Sequence, residues 1–260
     1  MESLDGGELV DKPVISFVLP AYNESEFIES ALERLDSAVN SHGFRYEVVV
    51  VDDGSVDDTR LRVLKYAARN GHVRVIGYDR NVGKGFAVKT GFWKAAGGAV
   101  VFVDSDLDLG LDIGQIRRYV EALKNSDIVV GSKWHPSSVV KMPFVRRLLS
   151  RGFNLLVRLL TGIRVSDTQT GIKAVRQESL SEVFRSLSVK RYAFDVELLV
   201  FAKVFGLKVA ELPVKLEIDR LFSFKEAWRM FVDLLGIAYR LRITKWYQRK
   251  LSYNSAFVGR

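Results

Sequence analysis

The sequence predicts an α/β fold in which helices flank a mostly parallel sheet. Short apolar runs of strand length alternate with segments of helical periodicity over residues 14–130 of the 260-residue chain. Such alternation is typical of repeated βαβ units, whose parallel strands are buried on both faces. With 48% hydrophobic residues, a chain of this length can form one sizeable core.

Each element follows from its own pattern. The predicted strands are nearly continuous apolar runs, as buried parallel strands require, at residues 14–19, 47–51, 73–78, 99–103 and 127–130. Apolar residues recur every three or four positions in the predicted helices, at residues 25–39, 59–68, 85–96 and 113–124. We expect a tail at residues 1–12, a catalytic domain at 13–219, and a basic amphipathic helical extension at 220–260 that packs on the same domain.

The composition excludes several kinds of chemistry. The chain has no cysteine and only three histidines, which are widely spaced. Disulfides, a thiol nucleophile and cysteine- or histidine-ligated metal sites are therefore not expected. Carboxylates and basic side chains have to carry the chemistry.

The formal net charge of +8 is concentrated in two patches. Residues 133–158 hold six Lys/Arg and no acid, and residues 220–260 hold nine Lys/Arg against two acids. Such patches bind phosphate groups, but no nucleic-acid-binding motif accompanies them, so we expect no nucleic-acid partner. The stretches 146–160 and 228–249 are amphipathic. Two interpretations stay open. These stretches are either ordinary helices that pack on the core and expose a basic face to solvent, or helices that lie at the headgroup boundary of an anionic bilayer.

The sequence contains no apolar run long enough to span a bilayer. Its first twelve residues are acidic, whereas a signal peptide begins with basic residues. We therefore expect a cytoplasmic protein that associates peripherally with the cytoplasmic face of a membrane.

Polar residues follow each of the first four strands. Ligands of such sheets bind beyond the carboxyl ends of the strands, so these segments are expected to converge on one crevice. The four segments are Pro20-Ala21-Tyr22-Asn23-Glu24, Asp52-Asp53-Gly54-Ser55, Asn81-Val82-Gly83-Lys84-Gly85 and Asp104-Ser105-Asp106-Leu107-Asp108.

The carboxylates after the fourth strand favour a divalent cation. Asp104 and Asp106, with Asp108 nearby, offer only oxygen ligands, which points to Mg²⁺ or Mn²⁺ bridging to a substrate phosphate. Lys84 can offer its charge to that phosphate or to a nucleobase. Asp52 and Asp53 lie where a base and ribose can donate hydrogen bonds. Together these residues predict a site for a nucleoside diphosphate held through a metal.

These motifs, in this order, resemble the inverting family 2 glycosyltransferases with the GT-A fold, a Rossmann-like α/β fold. The later segments Gly131-Ser132-Lys133, Arg147-x-x-x-Arg151-Gly-Phe-Asn, Asp167-Thr-Gln169-Thr-Gly-Ile-Lys and Tyr192-Ala-Phe-Asp195-Val-Glu-Leu-Leu are similar to those of the dolichyl- and polyprenyl-phosphate hexosyltransferases. The resemblance spans roughly residues 14 to 245. The Asp167 and Tyr192 segments are more similar to the glucosyltransferases of this group, whereas Asp-x-Asp-Leu is similar to its mannosyltransferases. UDP-glucose is therefore the favoured donor and GDP-mannose the next.

The resemblance also implies roles for individual residues. Pro20, Tyr22, Glu24 and Asp53 would line the base and ribose pocket, with Lys84 nearby. Asp104 and Asp106 would hold the metal and diphosphate, and Asp108 stands where mannose synthases carry a metal-binding polar side chain. Lys133, Arg146 or Arg147, and Ser150 would bind the acceptor phosphate. Relatives commonly have Gly-Ser-Arg where this chain has Gly-Ser-Lys133, and lysine lacks the bidentate fork of arginine.

A polyprenyl phosphate is already ionised near neutral pH, so it can attack the anomeric carbon without a general base. Asp195 then orients the sugar or pairs with an arginine, and Asp167 and Gln169 belong to a loop that contacts the sugar or the acceptor. The alternative is a family 2 enzyme acting on a hydroxyl of a soluble glycan or polysaccharide, with Asp195 as the base. A non-catalytic nucleotide-sugar-binding protein is the third hypothesis.

Overall fold

The computed structural model describes residues 14–40, 43–104, 115–218 and 224–250. It confirms the α/β class. The strands are β1 Ile15–Ala21, β2 Tyr46–Asp52, β3 Val73–Gly77, β4 Ala99–Val103, β5 Ile128–Ser132, β6 Val139–Lys141, β7 Ile172–Arg176, β8 Val209–Pro213 and β9 Lys215–Glu217. The helices are α1 Ile28–Asn40, α2 Thr59–Ala67, α3 Lys84–Lys94, α4 Ile116–Ala122, α5 Phe144–Thr161, α6 Gln177–Ser186, α7 Phe194–Phe205 and α8 Phe224–Arg242.

Seven strands form the main sheet, in the order β3-β2-β1-β4-β7-β5-β8. β7 is antiparallel to both of its neighbours, and the other strand pairs of this sheet are parallel. β6 and β9 form a separate parallel pair. Because the strand order reverses between β1 and β4, a crevice is expected at the carboxyl ends of these strands.

The core lies on both faces of the sheet, because successive strand residues point to opposite sides. Val18 and Phe102 pack in one layer with α3, α6, α7 and α8. Phe17 and Val101, each adjacent in sequence to a residue of the first layer, pack in the other with α1, α2 and α4. Burial on both sides explains why the strands read as continuous apolar runs.

Several elements differ from the predictions. β1 runs two residues further than expected, through Pro20, and at that position it pairs with β2 alone because its pairing with β4 ends at Val18. A residue without an N–H is tolerated where one side of the strand is unpaired. α1 begins at Ile28 rather than Ser25. The antiparallel β7, the helices α6 and α7 and the β6-β9 pair were not predicted.

Over the part of the chain that the structure describes, no helix has both the length and the apolar character needed to cross a membrane.

Candidate active site

A cleft of about 500 Å³ opens at the carboxyl ends of β1 to β4. It is where the sequence predicts the nucleotide-sugar site, and six of the predicted residues line it: Pro20, Tyr22, Glu24, Asp53, Lys84 and Asp104. Asp52 does not belong to the lining; its side chain is buried and accepts a hydrogen bond from the Ser55 N–H at 3.0 Å. The four polar segments therefore do converge, but Asp52 shapes a turn beneath the cleft.

The loop after β1 is held by the loop after β2. Asn23 has a positive φ of 56°, which asparagine tolerates better than most residues. Its N–H donates to the Ser55 hydroxyl, and its side-chain oxygen accepts from the Val56 N–H, both at 3.0 Å. The Glu24 N–H donates to the Thr59 hydroxyl at 2.8 Å. These bonds place Tyr22, whose side chain is exposed, at the rim of the cleft.

Asp53 organises the loop that leads into α3. Its carboxylate accepts hydrogen bonds from the Tyr78 hydroxyl at 2.6 Å and from the N–H groups of Val82 and Gly83, each at 2.9 Å. Burial, with the hydrogen bond to Asp53, raises the pKa of Tyr78, so this hydroxyl remains a donor. Asp53 thus fixes the position of Lys84 as well as lining the cleft.

Lys84 and Asp104 meet across the cleft. The Lys84 ammonium lies 2.5 Å from the Asp104 carboxylate, and both side chains are partly accessible. Lys84 is the first residue of α3 and Asp104 directly follows β4. The pair brings a cation and a carboxylate to the position where a diphosphate and its counter-ion are predicted.

Asp195 lies in the first turn of α7, buried behind this pair, and forms an ion pair with Lys173 of β7 at 2.9 Å. Of the alternatives left open for Asp195, the pairing with an arginine is wrong in this respect, since its basic partner is a lysine. Burial raises the pKa of Asp195 above its ordinary value, although the charges of Lys173 and Lys84 act in the opposite direction. The carboxylates of Asp195 and Asp104 also influence each other electrostatically.

Asp167 and Lys133 form a second buried pair, at the same edge of the sheet. The Lys133 ammonium and backbone N–H each lie 2.8 Å from the Asp167 carboxylate. Burial alone would raise the pKa of Asp167, but the charge of Lys133 and hydrogen bonds from Lys133 and Thr170 outweigh it, and the pKa lies below its ordinary value. The Gln169 N–H also donates to Asp167, at 3.2 Å. Lys133 is thus engaged within the protein rather than presented openly for a phosphate.

The predicted acceptor residues Arg146, Arg147 and Ser150 lie on the first half of α5. Thr168, in the loop before β7, donates its N–H to Asn154 of this helix at 3.1 Å. The Arg151 guanidinium lies 4.8 Å from the centre of the Trp134 ring, in the loop after β5. Both contacts hold α5 over loops at the edge of the sheet where the cleft opens.

Two of the predicted metal ligands, Asp106 and Asp108, lie outside the described residues, as does Ser105. Within the described ranges no group of three His, Asp or Glu side chains could hold a metal ion. The oxygen-only chemistry of Asp104 nevertheless fits a hard divalent cation.

The sequence reasoning missed one wall of the cleft. Arg191 and Tyr192, in the loop before α7, line it, and α8 contributes Glu226, Arg229, Met230 and Asp233. Their spacing of three or four residues places the α8 residues on one face of the helix. That periodicity was visible in the sequence, but nothing local shows that this face turns toward the strand ends.

Comparisons with known proteins agree with this geometry. The model of the glycosyl transferase family 2 matches residues 16–184. A dolichyl-phosphate beta-glucosyltransferase of Trichomonas vaginalis is 34% identical over 92% of this chain and 77% of its own length. The human dolichyl-phosphate beta-glucosyltransferase is also 34% identical, over 89% and 77%.

The fold is similar to that of solved GT-A glycosyltransferases. Glucosyl-3-phosphoglycerate synthase from Mycobacterium tuberculosis in complex with UDP superposes with a TM-score of 0.66 at 25% identity, over 87% of this chain and 80% of that one. The same synthase with Mn²⁺, UDP and glucosyl-3-phosphoglycerate gives 0.63 at 25% identity, over 87% and 79%. The resemblance seen in the sequence is thus confirmed, and this chain is a glycosyltransferase that belongs to family 2.

Proposed function

We propose that this chain transfers a hexose, with inversion, from a nucleotide sugar to dolichyl or polyprenyl phosphate. UDP-glucose is the favoured donor, with GDP-mannose next. The observation that carries the proposal is the cleft at the ends of β1 to β4, where Asp53, Lys84 and Asp104 converge. The names of the relatives support the acceptor and the glucosyl group, and the UDP complexes of the synthase support a uridine nucleotide.

Asp104 would hold the divalent cation, Mg²⁺ or Mn²⁺, together with Asp106 and Asp108. The Mn²⁺ complexes of the structural relative support such a cation. It would supply positive charge that stabilises the departing diphosphate. Lys84 supplies a second positive charge from the start of α3, 2.5 Å from Asp104.

The reaction needs two anionic substrates to meet. An oxygen of the acceptor phosphate forms a bond to C1 of the sugar while the bond from C1 to the donor diphosphate breaks, and the nucleoside diphosphate leaves. The attacking phosphate is already ionised, so no proton has to be removed. Arg146, Arg147 and Ser150 on α5 are proposed to offset the repulsion between the two substrates, whereas the charge of Lys133 is already paired with Asp167.

Peripheral attachment to a membrane is part of the proposal, and it rests first on the outer face of α5. Large apolar side chains are exposed there although the opposite face of the helix packs on the core. They are Phe144, Val145, Leu148, Leu149, Leu155, Leu156 and Leu159. Contiguous exposed apolar surface of this kind marks an interaction site.

α8 extends the same kind of surface. Trp228, Val232, Leu235 and Tyr239 are exposed and recur at spacings of three and four. The side chain of Arg242, the last residue of α8, donates to the Leu160 and Leu159 carbonyl oxygens of α5 at 2.7 and 2.5 Å, so the two helices meet at their C-terminal ends. Exposed basic residues accompany both faces, namely Arg147, Arg151, Arg158, Lys225 and Arg242. Apolar side chains bordered by cations suit the headgroup region of an anionic bilayer.

The test is transfer from a panel of nucleotide sugars to a short polyprenyl phosphate, with and without Mn²⁺. We expect UDP-glucose to be used as the donor. For Asp104→Asn we expect kcat/KM to fall by about 100-fold or more, which is the range found when a contact to transition-state charge is removed. Activity of Asp104→Asn equal to that of the wild type would refute the role of this carboxylate.

Arg147→Ala tests the acceptor site. We expect a higher KM for the polyprenyl phosphate with an unchanged Kd for UDP, because Arg147 lies outside the cleft lining. Arg60→Ala, an exposed arginine on α2, is the matched control and should alter neither. Equal losses of acceptor and UDP affinity would contradict the assignment.

The second candidate function is transfer to a hydroxyl acceptor with Asp195 as the base. The raised pKa of Asp195 favours it, because a carboxylate with a raised pKa is the better base. The two functions differ in their dependence on Asp195→Asn. With a polyprenyl phosphate no residue has to act as the base, so the transfer rate of Asp195→Asn should still fall toward low pH as that of the wild type does. If this fall toward low pH is missing in Asp195→Asn, the hydroxyl mechanism is favoured.

A further inference from the structure

Glu197 is a fully buried carboxylate on α7 that the proposed mechanism does not use. It accepts hydrogen bonds from the Ser188 N–H at 2.8 Å, the Ser188 hydroxyl at 2.7 Å and the Val189 N–H at 2.7 Å. The Tyr247 hydroxyl donates to it at 3.0 Å, and the Arg240 guanidinium lies at 3.2 Å. A buried charge is stable only when it is paired and hydrogen-bonded. The Glu197 carboxylate therefore requires three segments to be in place: residues 188–189, the part of α8 that carries Arg240, and the residues around Tyr247.

The segment that Glu197 holds packs directly against the start of α3. The Lys190 carbonyl oxygen accepts from the Phe86 N–H at 3.1 Å. A Cβ on Gly83 would lie 2.5 Å from that oxygen, and one on Gly85 would lie 2.9 Å from the Val189 carbonyl oxygen. Since even a methyl group does not fit between the two backbones, a shift of one displaces the other.

A second contact holds the same segment to α3. The Lys89 ammonium donates to the Leu187 carbonyl oxygen at 2.9 Å and lies 3.2 Å from the Arg185 carbonyl oxygen. The charges of Lys89 and Glu197 attract each other. The segment between α6 and α7 is therefore fixed from the side of α3 by Lys89 and from the side of α7 by Glu197.

Two of the elements that bond to Glu197, the segment between α6 and α7 and the helix α8, also form walls of the cleft. Arg191 and Tyr192 follow the Glu197-bound residues by two and three positions and line the cleft. Arg229 and Asp233 line it from α8, the helix that carries Arg240. Through these bonds Glu197 joins the two walls by a single carboxylate.

We propose that Glu197 is a positioning residue for the donor: it sets the segment 188–192 and α8 relative to each other and to Lys84, and so fixes the shape of the nucleotide site. The inference rests on the proposed function only in that a nucleotide occupies the cleft. Glu197 itself does not touch the substrate.

Glu197→Gln tests the proposal, because it keeps the volume and removes the charge. Glu47→Gln is the matched control. Glu47 accepts from the Ser16 hydroxyl and the Ala96 N–H, both at 2.6 Å, and from the Arg74 guanidinium at 2.9 Å. It therefore also joins three segments, but near the start of β2, at the opposite end of the strand from the cleft.

Two measurements on the full chain separate positioning from general destabilisation. The first is the Kd for UDP in the presence of Mn²⁺, by calorimetry. The second is amide hydrogen exchange at Phe86 and Val189 in the free protein. For Glu197→Gln we expect at least a tenfold weaker Kd and faster exchange at both amides. For Glu47→Gln we expect neither change, although its Tm should fall by about as much as that of Glu197→Gln.

A Glu197→Gln variant with wild-type UDP affinity and unchanged exchange overturns the inference, as does a Glu47→Gln variant with the same losses. If the wild-type chain does not bind UDP, the proposed donor is wrong, and exchange at Phe86 still decides the role of Glu197. Should Glu197→Gln fail to fold, Ser188→Ala removes one hydroxyl donor at an exposed position, with Ser16→Ala as its counterpart at Glu47. Slower exchange or no change at Phe86 in Ser188→Ala would also count against the inference.

Discussion

Replacing two exposed leucines of α5 should weaken the proposed membrane binding without affecting the fold. Leu148 and Leu155 lie seven residues apart on the outer face of α5 and are 61% and 56% exposed. Because most of each side chain already faces water, Leu148→Ser with Leu155→Ser removes little packing. The same side chains would enter the headgroup boundary if α5 lies on a bilayer.

The size of the effect follows from these exposures. Burying a whole leucine side chain is worth about 2 kcal/mol. Scaled by the exposed fractions, the two leucines together are worth about 2 kcal/mol, which is about a 30-fold change in the partition coefficient. Serine also lowers helix propensity by about 0.5 kcal/mol per site, so a matched control is needed.

The assay is co-sedimentation with sucrose-loaded vesicles containing anionic phospholipid. Leu61 and Leu64 on α2 provide the control, since each is 49% exposed and helical but lies on a different surface. The double serine variant of α2 should bind vesicles as the wild type does. If both pairs reduce binding equally, or if the α5 variant binds like the wild type, α5 is not the membrane surface.

Two further predictions concern packing and pH. Gly85→Ala should lower the free energy of unfolding by about 1–3 kcal/mol, because the new Cβ would lie 2.6 Å from the Cβ of Phe194; urea unfolding measures this. Gly236→Ala, in α8 with nothing within 4 Å, should instead gain about 0.5–1 kcal/mol, and equal effects at the two sites would contradict the packing argument. Asp167→Asn should cost about 3–5 kcal/mol at neutral pH, since it leaves the buried Lys133 ammonium without its carboxylate. Because the folded-state pKa of Asp167 is lowered, its contribution is complete above the unfolded pKa of about 3.9 and is lost as the pH falls through the folded value. The variant should therefore lose less stability than the wild type on acidification below about pH 4 in urea unfolding, and parallel curves would exclude this role.

The first half of the fold could be predicted because its signals are local. The centre of β2, residues 48–51, is four valines and β4 is apolar throughout, and a strand buried on both faces leaves that signature wherever it occurs. The polar residues that follow them converge by a general property of parallel sheets, so Asp53, Lys84 and Asp104 could be placed together before the structure was known.

The rest depends on contacts between distant residues. The antiparallel insertion of β7 between β4 and β5 leaves no mark on the strand itself, since Ile172–Arg176 is buried like its parallel neighbours. Asp167 was expected to contact the sugar, and that role stays a prediction. Its pairing with Lys133, 34 positions away, depends on how two loops meet.

The two faces of α8 have a geometric consequence for catalysis at a bilayer. Glu226, Met230 and Asp233 border the cleft that is proposed to hold the nucleotide, whereas Trp228 and Leu235 point away from it, on the side proposed to rest on lipid. An α-helix with its side chains is about 10 Å across, so only that distance would separate the headgroups from the sugar donor. A lipid-borne phosphate would then reach C1 by rising a single helix width, while its hydrocarbon tail never leaves the membrane.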